Sequence, residues 1–328
     1  MKRLLSGMRP TGNLHLGHLV GALKNWVELQ KKHDCFFMIA DWHALLSEYE
    51  NPKTIKENSI EILADWISCG IDPKKSTIFM QSHIKEHLDL YMILSCITPL
   101  SILERNPTYK EQLRELKGRN VMTYGFLGYP VLQASDILAY KAEVVPVGID
   151  QAAHLELTRE IVRKFNNLYG NVFPEPGTLL TPTPKLLGLD NRKMSKSFDN
   201  FISLSDSSEK IKKKVMKMIT DPKKIRLGDL GHPDVCNVCF FYKVFASEKV
   251  KQISTSCQSG ERGCIKCKTE LTEILITILE PIQKKRKKLL SDKKALIEIL
   301  KNGDEAARVV ASQTMRDVRK KAGISYDL

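Results

Sequence analysis

The 328-residue sequence has no apolar run long enough to cross a membrane. Its most apolar stretch near the end, Leu271 to Ile282, is interrupted by Glu273 and Glu280, whereas a spanning helix needs about 20 apolar residues. The first residues contain only a pair of consecutive leucines, too few for the apolar segment of a secretory signal. We therefore predict a soluble, cytoplasmic protein that does not bind membranes.

Short apolar runs alternate with longer helical patterns through the first part of the chain. The runs are Arg3 to Leu5, Cys35 to Ala40, Thr77 to Met80 and Glu143 to Val147. Strands that alternate with helices indicate an α/β protein with a parallel sheet. From about Asp206 the composition changes to lysine-rich helical patterns, which predict a second, α-helical domain. The predicted domains are residues 1–205 and 206–328.

The net charge of +13 is concentrated in the second predicted domain. Residues 206–328 hold 27 of the 51 basic residues but only 16 of the 38 acidic ones. An excess of this kind attracts a polyanion such as a nucleic acid. Solvated, lysine-rich helix faces would produce the same composition, so both interpretations stay open.

Two histidines follow the first predicted strand, one helical turn apart. His15 and His18 flank Gly17 at what we predict to be a helix start, where free N–H groups and the helix dipole favour phosphate. The glycine spacing is not that of a dinucleotide-binding turn or a P-loop. Taken alone, a pair of histidines three residues apart is more often half of a metal site or a capped helix start than a phosphate site.

A second candidate for phosphate binding lies far downstream. Residues Lys193 to Ser197 offer two lysines and two hydroxyl groups in a loop, and mobile lysine charges can follow a phosphate during a reaction. An exposed basic loop is the alternative.

The two segments together resemble a known pair of signatures. His15-Leu16-Gly17-His18 and Lys193-Met194-Ser195-Lys196-Ser197 are similar to the HIGH and KMSKS motifs of class I aminoacyl-tRNA synthetases. The resemblance implies a Rossmann-type catalytic domain that binds ATP and Mg²⁺, in which His15, His18, Lys193 and Lys196 are catalytic. The ATP contacts that it implies are Arg9, Pro10, Thr11, Gly17, His18, Gly148, Ile149, Asp150, Leu187, Lys193, Met194, Ser195, Lys196 and Ser197.

The sequence departs from the family pattern at two of these positions. Ile149 stands where the family usually has Glu, so this position offers no carboxylate. Arg9 stands where many members have Gln, which would place an additional cation near the nucleotide.

One acid, Asp136, lies in an apolar helical stretch from Gly128 to Leu138. Aspartate is rarely buried without a partner. An indole ring has one N–H donor and no acceptor, so a tryptophan pocket needs apolar walls and one acceptor such as this carboxylate. Helix capping or pairing with Lys141 is the alternative role.

This stretch and the residues after it resemble the tryptophanyl members of the synthetase class, as do Asp41-Trp42-His43. The resemblance implies that Asp136 accepts the indole N–H and that Gln151 lies near the ammonium or carboxylate group of tryptophan. It further implies that Tyr129, Gln133 and Val145 form walls of the pocket. Tyrosyl members share only part of the pattern.

Five of the eight cysteines lie close together near the middle of the second predicted domain. In a cytoplasmic protein such density is more typical of a metal site than of disulfides. Zinc would use the two C-x-x-C pairs, Cys236, Cys239, Cys264 and Cys267. A resemblance to synthetases that contain a 4Fe-4S cluster implies Cys236, Cys257, Cys264 and Cys267 instead, and we predict this cluster with zinc as the alternative.

The resemblance implies a tryptophan–tRNA ligase that forms tryptophanyl-adenylate and then charges tRNA(Trp). It also implies a homodimer and a tRNA anticodon-binding function for residues 206–328. Candidate tRNA phosphate contacts are the basic segments 212–214, 284–288 and 319–321. A tyrosyl-tRNA synthetase and a non-charging, RNA-binding paralogue are the alternatives.

Overall fold

A parallel five-stranded sheet is the framework of the protein. The computed structural model describes residues 1–115, 122–148, 152–180 and 186–325. The strands are β1 (Arg3–Met8), β2 (Asp34–Ile39), β3 (Ser76–Met80), β4 (Val144–Val147) and β5 (Gly177–Leu180). Their order is β3-β2-β1-β4-β5, with every pair parallel. This is the Rossmann-type order, in which ligands bind beyond the carboxyl ends of the strands where the order reverses, between β1 and β4.

The predicted fold class is confirmed. Four strands coincide with the predicted apolar runs, and each contains buried apolar residues. β5 was not predicted. It is short, flanked by prolines and mostly exposed, so it lacks the apolar pattern of a buried strand.

The chain divides into two compact units. The first contains residues 1–12, 25–182 and 292–328, and the second contains residues 13–24 and 183–291. The units are discontinuous in sequence, whereas the predicted domains are continuous. The functional division at residue 205 stays a prediction.

Helices cover the sheet in the first unit. They are α3 (Asp41–Glu48), α4 (Ile55–Ser68), α5 (Glu86–Ile97), α6 (Leu100–Arg105), α7 (Pro107–Glu115), α8 (Tyr124–Ala139), α9 (Ala152–Tyr169) and α14 (Lys293–Lys321). α8 is buried along most of its length and begins where the Thr123 hydroxyl accepts a hydrogen bond from the Phe126 N–H. Among the described helices, none is long and apolar enough to span a membrane.

The C-terminal helix α14 belongs to this first unit. It packs against β3, α4, α5 and α8, with Ala307, Ala311 and Met315 buried on one face at helical spacing. Gly303 permits the close approach, because a Cβ atom there would overlap the carbonyl oxygen of Ile78 in β3. The helix therefore protects an edge strand of the sheet.

The second unit is mainly helical. Its helices are α1 (Leu16–His18), α10 (Ser208–Met216), α11 (Asn237–Phe245), α12 (Val250–Gln258) and α13 (Cys264–Ser291). A π-helical turn, Leu19–Leu23, continues α1 and leads into α2 (Lys24–Leu29), in which the boundary between the units falls. Leu271, Leu275 and Leu279 form the buried face of α13, against which α10 and α11 pack.

Candidate active site

His15 and His18 cap the start of α1 with their side chains. The Nδ1 atom of His15 accepts a hydrogen bond from the Gly17 N–H at 3.1 Å. The Nδ1 atom of His18 accepts one from the His15 N–H at 3.2 Å. Two otherwise unpaired N–H groups of the helix start are thereby satisfied, as in a capping box. A capped helix start was the alternative interpretation of this histidine pair. The cap is present, and the side chains that form it are those of the two signature histidines.

Both imidazoles are neutral at physiological pH. Desolvation, followed by the charge of Lys196, lowers the pKa of His15 to about 3. Desolvation also lowers the pKa of His18, with further contributions from His15 and Lys196. Because each Nδ1 atom accepts a hydrogen bond, each neutral ring carries its proton on Nε2. The pair therefore presents two N–H donors without adding a positive charge.

Gly17 is required by this arrangement. A Cβ atom at this position would lie 2.8 Å from two atoms of the His15 ring, too close for van der Waals contact. The absence of a side chain at Gly17 therefore leaves room for the capping imidazole of His15.

The second signature forms a tethered loop in the same unit. A backbone bridge joins Leu187 to Lys193, and the Met194 N–H donates to the Leu186 carbonyl at 2.9 Å. The Met194 side chain is buried, and a short 3₁₀ turn, Lys196–Phe198, follows. Lys193 is exposed.

The structure brings the two signatures together within the second unit. His15 pairs with Ser203 in a backbone bridge, shortly after the signature loop. The ammonium of Lys196 acts on the pKa of both histidines, which shows that its charge lies near them. Two N–H donors and a lysine charge therefore lie near one another, as a polyphosphate site requires.

Asp136 is the centre of a buried hydrogen-bond network in the first unit. Its side chain is almost completely inaccessible to solvent. Oδ1 accepts from Gln81 Nε2 at 2.8 Å and contacts His87 Nδ1 at 2.6 Å. Oδ2 contacts His43 Nε2 at 2.7 Å. Burial raises the pKa of Asp136, but His43 and His87 together hold it below its ordinary value, so the carboxylate is charged.

His43, Gln81 and His87 were not predicted as site residues. His43 lies within a segment that matched the family pattern, which was its only signal. Gln81 follows β3 directly, at the carboxyl end of a strand, where ligand-binding residues gather. His87 has no local signal, and its contact with the Tyr140 hydroxyl at 2.7 Å is visible only in the folded chain.

The other predicted tryptophan-pocket residues lie in the same unit. The Tyr129 hydroxyl contacts His154 Nε2 at 2.8 Å, and burial raises the pKa of this tyrosine. Val145 is buried in β4, and Gln133 is half-buried on α8. The alternative partner of Asp136, Lys141, instead pairs with Asp317 at 2.8 Å.

Some predicted ATP contacts follow strands at the switch point of the sheet. Arg9, Pro10 and Thr11 come directly after β1, and Gly148 comes directly after β4. Arg9 is exposed. Ile149, Asp150, Gln151 and the side chain of Ser197 lie outside the described residues.

The cysteine region lies in the second unit. Cys236 precedes α11, Cys257 lies in α12, and Cys264 and Cys267 lie in the first turn of α13. The pKa values of the thiols of Cys257 and Cys267 are raised, first by desolvation and then by neighbouring cysteines that include Cys236 and Cys264. Cys239 is turned toward Ser254, with 3.8 Å between Sγ and Oγ.

The predicted metal site is not formed as such. Within the described ranges, no group of three or more His, Cys, Asp or Glu side chains could hold a metal ion. A cavity of about 20 Å³ is lined by Cys236, Cys239, Cys257 and Cys267, which leaves out Cys264. Arg262 Nε donates to Cys267 Sγ at 3.0 Å, a contact that favours a thiolate.

Comparison with known proteins identifies the family. A family model described as class I tRNA synthetases (W and Y) matches residues 1–280. The chain belongs to this family. The family combines the synthetases for tryptophan and tyrosine, so membership establishes an aminoacyl-tRNA synthetase but does not choose between the two amino acids.

This synthetase is similar to proteins described as tryptophan–tRNA ligases. It is 46% identical to the one from Thermotoga maritima over 99% of this chain and 100% of that protein. It is 43% identical to the one from Aquifex aeolicus, over 97% of this chain and 98% of that protein. A crystal structure of the Campylobacter jejuni tryptophanyl-tRNA synthetase, complexed with ADP and tryptophan, is 35% identical with a TM-score of 0.90. The match covers 98% of this chain and 99% of that one.

Proposed function

We propose that this synthetase is a tryptophan–tRNA ligase. It activates L-tryptophan with ATP to tryptophanyl-adenylate and pyrophosphate, then transfers tryptophan to the 3′ end of tRNA(Trp). The observation that carries the proposal is the buried Asp136 carboxylate with its histidine and glutamine partners. High similarity to tryptophan–tRNA ligases over nearly the whole chain supports the same choice.

The three partners of Asp136 among the described residues leave one acceptor position of the carboxylate unused. A carboxylate offers about four lone-pair positions. Gln81 and His87 occupy two of them on Oδ1, and His43 occupies one on Oδ2. The fourth position suits the single N–H of an indole ring. Because the carboxylate is buried and already oriented by three partners, it accepts this hydrogen bond without reorganisation.

In the first step, the tryptophan carboxylate attacks the α-phosphorus of ATP in line and pyrophosphate leaves. The Nε2–H groups of His15 and His18 donate to phosphate oxygens, and the ammonium groups of Lys193 and Lys196 meet the charge that develops there. Mg²⁺ that accompanies ATP supplies further positive charge at the phosphates. In the second step, a ribose hydroxyl of the terminal adenosine of tRNA loses its proton and attacks the carbonyl carbon of the adenylate, which forms the tryptophanyl ester, breaks the bond to the phosphate and releases AMP.

The remaining ATP contacts stay predictions. They comprise Arg9, Pro10, Thr11, Gly17, Gly148, Ile149, Asp150, Leu187, Met194, Ser195 and Ser197. The proposed contacts of tryptophan with Tyr129, Gln133, Val145 and Gln151 also stay predictions, as does the cytoplasmic location.

Exposed lysines of the second unit support tRNA binding. Lys212 and Lys213 on α10 are exposed, and so are Lys284, Lys287 and Lys288 on α13. Solvated lysines of this kind can bind phosphates of a nucleic acid without breaking a protein contact. The third basic segment is a weaker candidate, because its arginine at position 319 pairs with Asp89 at 2.6 Å.

An apolar row on α5 supports a homodimer. Leu88, Met92 and Cys96 are exposed at four-residue spacing, and Met92 is 62% exposed. Burying such a row against a second copy would remove apolar surface from water. Sedimentation should give a dimer for the wild type and a monomer for Met92→Lys.

We retain a 4Fe-4S cluster on Cys236, Cys257, Cys264 and Cys267 as part of the proposal. The placement of these cysteines before α11, in α12 and in the first turn of α13, together with the Arg262 contact, supports it. A cluster held there would link the starts of α11 and α13 to α12. Its contribution is to structure or to tRNA contact, because none of these residues is needed for the charging chemistry.

Two cysteine variants distinguish the cluster from zinc. After anaerobic purification, Cys257→Ala should lose bound iron and the broad absorption band of the cluster, whereas Cys239→Ala should keep both. For a zinc site on the C-x-x-C pairs, Cys239→Ala loses the metal and Cys257→Ala keeps it. Zinc without iron in the wild type overturns the cluster.

The experiment that tests the main proposal is ATP–pyrophosphate exchange with tryptophan and tyrosine side by side. Exchange with tryptophan alone supports the proposal. Exchange with tyrosine alone identifies a tyrosyl-tRNA synthetase instead. Exchange with no amino acid, from folded protein, identifies a non-charging paralogue.

A further inference from the structure

The loop that carries Lys193 and Lys196 is held at its base by two buried asparagines, neither of which has a part in the proposed chemistry. Asn200 and Asn237 are both almost fully buried, and both lie in the second unit. Buried amides are costly unless they are hydrogen-bonded, so the atoms they contact show what they stabilise.

Asn200 holds the loop from within. Its Oδ1 atom accepts a hydrogen bond from the Ser195 N–H at 2.9 Å, and its Nδ2 atom donates to the Lys193 carbonyl at 3.2 Å. Nδ2 also donates to Asp190 Oδ1 at 2.6 Å. One side chain therefore fixes the backbone on both sides of Met194, between the two signature lysines.

Asn237 holds the same loop from outside. It is the first residue of α11 and follows Cys236 directly. Its Nδ2 atom donates to the Gly188 carbonyl at 2.6 Å, while its Oδ1 atom has no hydrogen-bond partner among the described residues. Burying an amide costs free energy unless it is hydrogen-bonded, so the bond to the Gly188 carbonyl is the contact that offsets this cost.

Gly188 is where the two asparagines meet. A Cβ atom on this glycine would overlap the amide of Asn200. The Leu189 N–H also donates to the Asn200 carbonyl at 2.8 Å. A shift of the Gly188 peptide is therefore transmitted to Asn200, and from there to the signature loop.

We infer that Asn200 and Asn237 are positioning residues that together set the location of the Lys193 and Lys196 side chains. This inference rests on the proposed function of these lysines in ATP activation. Neither asparagine touches the substrate in this assignment. Both act through the backbone of the loop, and Asn237 links the loop to the segment that carries Cys236.

Loss of either asparagine should weaken the activation step more than tryptophan binding. Asn237→Ala removes one hydrogen bond and leaves the buried Gly188 carbonyl unpaired, so we expect kcat for pyrophosphate exchange to fall roughly tenfold. Asn200→Ala removes three hydrogen bonds and should lower kcat roughly a hundredfold. The KM for tryptophan should stay within about twofold in both variants, because the groups proposed to bind it are elsewhere.

A direct readout of loop position accompanies the kinetics. Trypsin cleaves after Arg192 and Lys193, both of which are exposed. Cleavage at these two sites, followed by mass spectrometry, should accelerate roughly tenfold in Asn200→Ala and Asn237→Ala, since release of the tethers opens the loop more often. In the double variant, the increase in the cleavage rate should be smaller than the product of the two single increases if both residues act through the Gly188 peptide.

Asn166→Ala is the matched control. In the first unit, Asn166 makes three similar hydrogen bonds to the loop at Val172 and Phe173. Its replacement removes the same kinds of bonds from a loop outside the proposed site. We expect unchanged kcat and unchanged cleavage at the signature loop.

The outcomes separate this inference from the proposed function. Folded Asn200→Ala and Asn237→Ala with wild-type kcat and wild-type cleavage overturn the inference. So does an equal loss of kcat in Asn166→Ala, which would indicate general destabilisation. Wild-type protein without tryptophan-dependent exchange refutes the proposed function, while trypsin cleavage still tests whether the asparagines position the loop.

Discussion

Replacing Asp136 by asparagine tests the proposed recognition of tryptophan with the smallest structural change. The amide keeps one acceptor, which can remain on the side of Gln81 and His87. Its NH₂ group then takes the place of Oδ2. His43 can change tautomer and accept from this group, but the position offered to the indole N–H becomes a donor.

The expected magnitude follows from the bond that is lost. A hydrogen bond to a buried carboxylate contributes about 2 kcal/mol, which corresponds to roughly thirtyfold in kcat/KM. Tryptophan should lose this factor. An analogue whose ring has sulfur in place of N–H, 3-benzothienylalanine, forms no such bond and should lose much less.

The assay is pyrophosphate exchange with tryptophan and with the sulfur analogue, for the wild type and for Asp136→Asn. The preference for tryptophan should fall roughly thirtyfold in the variant. Asp65→Asn, a buried aspartate on α4 of the same unit, controls for the cost of burying an asparagine and should keep the preference. An unchanged preference in folded Asp136→Asn would refute the assignment of this carboxylate as the indole acceptor.

Three further predictions concern the signature residues and the C-terminal helix. Lys196→Ala should slow single-turnover adenylate formation and change the Kd for tryptophan little; equal losses would indicate misfolding. Because the pKa of His15 is lowered to about 3, the unfolded chain binds a proton below pH 6.5 that the folded chain does not. The contribution of His15 to the free energy of unfolding is therefore fully present above pH 6.5, and it should fall by about 1.4 kcal/mol for each pH unit of acidification below that value. Urea unfolding at pH 7 and pH 5 should show a smaller decrease in His15→Asn, which keeps a capping acceptor, and an unchanged slope would contradict the assignment. Asp304→Ala should lower the free energy of unfolding by about 2 kcal/mol, because Asp304 accepts from the buried Met80 N–H at 2.8 Å. Asp317→Ala on the same helix removes a partly exposed ion pair with Lys141 and a long, exposed hydrogen bond from Gln313, and should cost under about 1 kcal/mol in the same urea titration.

Several features of the protein follow from local sequence. The alternation of short apolar runs with helical patterns indicated the parallel sheet. A buried strand appears in the sequence as a short apolar run, and an amphipathic helix appears as apolar residues at helical spacing, so both can be recognised from neighbouring residues. The histidine and lysine signatures indicated the family, because such segments are read directly from adjacent residues. The spacing of the cysteines likewise suggested a metal site without information on the fold.

Only the tertiary structure decided which distant residues meet. His43 and His87 reach Asp136 across 93 and 49 positions of sequence, and Asp304 reaches Met80 across 224. No local period or turn encodes such contacts, since they depend on how strands and helices pack.

The chemical state of the signature histidines was likewise decided by the fold. The sequence located the pair, but desolvation, the capping hydrogen bonds and the nearby Lys196 charge made both rings neutral and set the proton on Nε2. A pKa depends on burial and on neighbouring charges in three dimensions. The sequence alone therefore determined the kinds of groups available for catalysis, and the folded chain determined their partners and protonation.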